Sequence, residues 1–239
     1  MGTMMRSTGR LATTASLAVF AYAAMDMCHE VLGHGVATLF FDDITPVQLT
    51  TVALSSQGAV NRVVAVAGPL VNLVLGMVAM AWFRRLTTFG PGAFLLWLFA
   101  TINLLNGTGY AVYSGVLDFG DLAVVTGGWE PHMAWRIGMA ILGVAGYYLS
   151  LRLAAVSLAR QRDADPIGRQ AIHRLTWPAY LAGGVLLAAG AAMNPQPNLF
   201  LLVGVTGGFG CMLGLLFVPA LTESAKAEAT RVEPWQTSW

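Results

Sequence analysis

The sequence predicts an all-α fold, a polytopic bundle of about six transmembrane helices, on three observations. Of its 239 residues, 56% are hydrophobic and only 10% charged, against roughly a quarter charged in an ordinary soluble domain. Six apolar runs approach or exceed the ~20 residues that a helix needs to cross a bilayer. The polar stretches between them, near 42–58, 115–133 and 156–175, are too short to build a soluble domain. A net charge of +1, spread along the chain, leaves no electrostatic footprint for nucleic acid, so the expected surroundings are membrane lipid.

The first run, near 11–40, follows Arg6 and Arg10. Ala21-Tyr22-Ala23 gives it the outline of a cleaved signal peptide, but apolar character resumes through Phe41, as a continuing span requires. The second run, 61–83, ends at Arg84 and Arg85; the third occupies 91–114 and the fourth 134–155. Arg152, Arg160, Arg162, Arg169 and Arg174 crowd the connection that follows the fourth, ahead of the last two runs at 176–193 and 198–220. The intervening loops carry Asp42 and Asp43, then Asp118, Asp121 and Glu130, with Arg62 and Arg136 as exceptions. By the positive-inside rule the arginine-bearing loops and both termini are cytoplasmic, and the chain is an integral protein of the plasma (inner) membrane. Residues 1–222 form one transmembrane domain and 223–239 a polar tail. Twenty-seven glycines suit helices packed closely in lipid, and Cys28 and Cys211, both in apolar stretches, make no disulfide framework.

Asp26, Cys28, His29, Glu30 and His34 fall within nine residues of the first run, where each ionisable group costs at least a few kcal/mol. Two imidazoles and a carboxylate are the groups from which catalytic zinc sites are built, with nitrogens on the metal and the carboxylate handling a water proton. The spacing is unusual. His-Glu-x-x-His places its histidines four apart on one helical face, whereas here they stand five apart, roughly 140° out of register on a regular helix. A π-bulge near Gly33 brings i and i+5 together. On a regular helix Asp26, Glu30 and His34 instead share a face, as an oxygen-rich ligand set or a proton relay. The same groups also serve as hydrogen-bonding glue between helices.

The string His29-Glu30-Val31-Leu32-Gly33-His34-Gly35 resembles the first core helix of the site-2 protease family of intramembrane zinc metallopeptidases, with one residue added. Ala67-Gly68-Pro69-Leu70-Val71-Asn72 is similar to the Gly-Pro-x-x-Asn element of that family, and Asn103-Leu104-Leu105-Asn106 followed by Leu117-Asp118-Phe119-Gly120-Asp121 looks like its third-ligand segment, stretched. The resemblance covers a protease-like core of about 11–125 and leaves the additional spans in 134–220 unassigned. It implies zinc held by His29, His34 and an Asp, with Asp118 first choice and Asp121 close behind. It also implies catalytic roles for Glu30, which takes the water's proton, and for Asn72, which bonds substrate backbone or orients a ligand. His132 lies in the same outer loop as the two aspartates. Two functions stay open: a zinc-dependent membrane metallopeptidase acting on a transmembrane protein substrate, or a non-catalytic pseudoprotease that binds a partner subunit or a metal. The second is favoured by the altered histidine spacing and by the absence of a substrate-selecting soluble domain.

Overall fold

The computed structural model describes residues 2–49, 54–57, 61–161, 169–194 and 202–231. Six helical spans are long and apolar enough to cross a membrane: Leu11–Thr38, Arg62–Phe83, Pro91–Leu117, His132–Gln161, Ile172–Ala192 and Leu202–Ser224. The chain is an all-α polytopic bundle. The start of the expected sixth run, 198–201, and Arg162 lie outside the described residues. The last helix, Val218–Arg231, continues past the boundary expected at 222.

The third span is the axis of the bundle, packed against the first, second and fourth. Trp97, Leu98, Ile102 and Leu105 on it are fully buried, while Val78, Ile141, Leu142 and Leu149 on flanking spans are exposed and face the surroundings. That distribution is expected of a protein whose outer surface meets hydrocarbon. Backbones approach closely because the contact points are glycines: a Cβ on Gly115 would lie 2.6 Å from the Arg136 carbonyl oxygen, and one on Gly143 would lie 2.5 Å from the Val112 nitrogen.

Two departures from regular helix matter. The first span is α-helical through Met27, then π-helical over Cys28–Gly35 before closing with Val36–Thr38. The sixth is broken by a π segment at Thr206–Gly210 and a 3-10 turn at Leu213–Leu216. Backbone groups freed by that break find a partner in Tyr147, whose hydroxyl donates to the Cys211 carbonyl at 2.7 Å and accepts from the Gly214 N–H at 2.8 Å. The polar stretch after the first span contains a β-hairpin instead of irregular loop, with Thr45–Leu49 antiparallel to Leu54–Gln57 and a register shift between Pro46 and Gln48. A short helix, Asp121–Thr126, follows the third span.

A candidate metal centre

The π-helical segment solves the spacing problem posed by the sequence. One wider turn absorbs the extra residue, so His29 and His34 end on the same side of the first span with ring centroids 4.8 Å apart. Their Nε2 atoms lie 3.2 Å from each other. The Oδ2 of Asp121 lies 3.0 Å from the Nε2 of His29 and 3.4 Å from that of His34. Both imidazoles are buried, and the Asp121 side chain is about a quarter exposed.

Hydrogen bonds behind the rings decide which nitrogen is free. The carbonyl of Phe99 can only accept, so Asn103 presents Nδ2 to it at 2.8 Å and turns Oδ1 toward Asn72. Asn72 must then donate Nδ2 to that oxygen, at 2.8 Å, which leaves its own Oδ1 facing His29. His29 accordingly donates Nδ1–H to Asn72 Oδ1 at 2.6 Å. His34 donates Nδ1–H to the carbonyl of Val64 at 2.7 Å. With each neutral ring's proton committed at Nδ1, both Nε2 atoms carry lone pairs, and these converge on a carboxylate oxygen.

Three lone-pair atoms at such distances repel unless a cation lies among them. Metal bonds of 2.0–2.1 Å in a tetrahedron place neighbouring ligand atoms about 3.3–3.4 Å apart, close to the distances found here. The opening between them is kept by Gly68: a Cβ there would fall 2.6 Å from His34 Nε2 and 2.7 Å from His29 Nε2, in the space where the nitrogens converge. Gly33 lets the second span come this near, since its own Cβ would meet Gly68 Cα at 2.5 Å. His29, His34 and Asp121 can therefore hold a metal ion.

Asp121 reaches the site by a turn. Asp118 caps the third span in the left-handed conformation with φ 54°, Gly120 follows at φ 87°, and the short helix then begins with Asp121. Arg62 steadies that helix, donating Nη2 to the Gly127 carbonyl at 2.6 Å and lying over the Trp129 ring.

The structure brings His29, His34 and Asp121 together and keeps Asp118 apart. Asp118 meets His132 Nε2 at 2.9 Å and Arg136 Nη1 at 3.6 Å. The hydrogen bond to His132, aided by the charge of Arg136, lowers its carboxyl below the usual value although the group is exposed. First choice for third ligand thus passes to Asp121, because the left-handed turn aims the two carboxylates in different directions. Asn72 is fully buried and hydrogen-bonded to His29, so in this structure it orients that imidazole. Glu30 is buried beside the histidines and borders a cavity of about 30 Å³, room for a single water, with Asp26, Asn106 and Tyr110. Among the described residues, Asp26 does not join His34 in the group that could hold a metal ion. Tyr110 packs over His29 with ring centroids 5.0 Å apart.

Sequence reasoning gave no role to Asn103, Val64 or Tyr110. Asn103 had a signal, as a polar residue within an apolar run, whereas Val64 contributes a backbone carbonyl that no side chain announces. No protein-family model, curated protein or solved structure matches the chain.

Proposed function

We propose that this chain is an intramembrane zinc-dependent peptidase, with His29, His34 and Asp121 as metal ligands and Glu30 as general base. One observation carries the reading: two Nε2 lone pairs and a carboxylate oxygen converge beside Gly68, with a glutamate in the same helical segment. Three protein ligands and an open fourth position form the pattern of catalytic zinc sites. A bound zinc supplies a Lewis acid that polarises the scissile carbonyl and lowers the pKa of its water to about 7.

The chain's own residues do the rest. Glu30 accepts the proton that the attacking water loses as its oxygen bonds to the carbonyl carbon, then returns it to the departing nitrogen as the C–N bond breaks. Asn72, bonded to His29 Nδ1 and braced by Asn103, fixes the ring's tautomer and direction. The Val64 carbonyl does the same for His34. The surrounding spans keep bulk water from the site, which strengthens each of these charges. The substrate is the transmembrane segment of another protein, locally unwound to present a peptide bond.

The arginine distribution orients the chain in the plasma (inner) membrane with both termini cytoplasmic. The site lies toward the face opposite the termini, near the start of the second span and the end of the third. Glu30→Gln keeps both histidines and Asp121, so it is expected to retain metal and to lose cleavage of a reconstituted membrane substrate by about 100-fold or more. Cleavage at the wild-type rate would overturn the mechanism. Metal retention without cleavage in wild type, across a panel of transmembrane substrates, would favour the non-catalytic subunit.

A further inference from the structure

A second polar site sits at the other end of the second span, remote from the histidines. A cavity of about 240 Å³ opens there, lined by Arg84, Leu86 and Thr87 beyond that span and by Ser157, Arg160 and Gln161 at the end of the fourth. Val64 touches His34, and the helical rise from Val64 to Arg84 is about 30 Å, so the two sites face opposite surfaces of the membrane.

The chemistry of its walls is one-sided. Arg84 and Arg160 are exposed, and neither has an ion-pair partner among the described residues. Among the described residues, no carboxylate lines the cavity. Ser157 is fully buried, yet its hydroxyl has no hydrogen-bond partner among the described residues. Buried hydroxyls are ordinarily paired, so one left open on the wall of a cavity flanked by two guanidinium groups points to a ligand. Gln161 donates its Nε2 to the carbonyls of Phe83 and Leu86, which fixes the amide and leaves Oε1 buried without a partner among the described residues.

We infer that this cavity binds a phosphate group, with Arg84 and Arg160 as charged donors and the Ser157 hydroxyl as the neutral donor behind them. The source the walls favour is a phospholipid headgroup. The cavity stands at the end of two membrane spans, and Gln161 Oε1 adds an acceptor suited to the hydroxyl of a glycerol headgroup beside the phosphate. This inference does not depend on the metal centre or on peptidase activity.

The test uses the detergent-purified full chain and two probes, dioleoyl-phosphatidylglycerol followed by native mass spectrometry and inorganic phosphate followed by calorimetry. Wild type is compared with the double variant Arg84→Ala, Arg160→Ala, with Ser157→Ala, and with Arg85→Ala, which alters a neighbouring arginine outside the cavity. Lipid binding weakened about 30-fold in the double variant and severalfold in Ser157→Ala, but unchanged in Arg85→Ala, is the expected result. The same dependence for inorganic phosphate, with no lipid retained, would support the phosphate site and reassign its source to a soluble ion. Equal binding by wild type and the double variant, an equal loss in Arg85→Ala, or no binding of either probe by wild type would overturn it.

Discussion

At the scale of single residues, the candidate metal centre depends as much on an absent side chain as on those present. Gly68 contributes no ligand, but any Cβ there would occupy the point where His29 and His34 converge, with His34 Nε2 only 2.6 Å away. Gly68→Ala is therefore expected to reduce bound metal to near background while the protein stays folded and monodisperse. Gly92→Ala is the matched control, because a Cβ there meets nothing within 4 Å. Equal metal content in the two variants, measured by elemental analysis, would show that the converging space is not where metal binds. The histidines and Glu30 were legible in the sequence because ionisable groups in an apolar run demand a reason. The steric role of Gly68 was not, since the same glycine reads equally well as a helix-opening neighbour of Pro69. Choosing between Asp118 and Asp121 needed the left-handed turn, which depends on φ at Asp118 and Gly120 and not on residue type alone.

At the scale of elements, the π-helical segment of the first span is what lets a five-residue spacing act like a four-residue one. The extra residue is taken up in one wide turn, and the helix on either side keeps its phase. Leu32 lies inside that turn and is half exposed, so its removal costs little packing. Deleting Leu32 is expected to return the segment to regular α-helix with the histidines four apart and to preserve metal binding. Inserting an alanine after Leu32 is expected to abolish it, as no ordinary helical turn brings residues six apart to one point. Loss of metal in both variants would mean that the π geometry itself, and not the shared face, is required. The span boundaries were largely visible in hydropathy, within a few residues for the second and third. The hairpin after the first span was hidden, because a short polar stretch with Pro46 carries little periodicity to distinguish strand from loop.

At the scale of the whole molecule, the third span joins fold to chemistry. Its middle supplies Asn103 to brace Asn72, Tyr110 packs over His29, and its end launches the turn to Asp121. The third span also packs against the first, second and fourth, so the site is held by the most buried helix of the bundle. The number of spans and their lengths followed from composition because lipid imposes a simple rule on length and polarity. Which helices pack together did not, as that depends on glycine contacts such as Gly33 with Gly68 and Gly115 with the Arg136 backbone. The phosphate-binding cavity was likewise invisible, since Ser157 and Arg84 meet only when the second and fourth spans are docked.

The most direct test of the central claim is the zinc content of the purified full chain by elemental analysis, for wild type beside Asp121→Asn and Asp118→Asn. About one zinc per chain in wild type and Asp118→Asn, with little in Asp121→Asn, is the predicted result. No zinc in wild type, or equal zinc in all three proteins, would contradict a centre built from His29, His34 and Asp121.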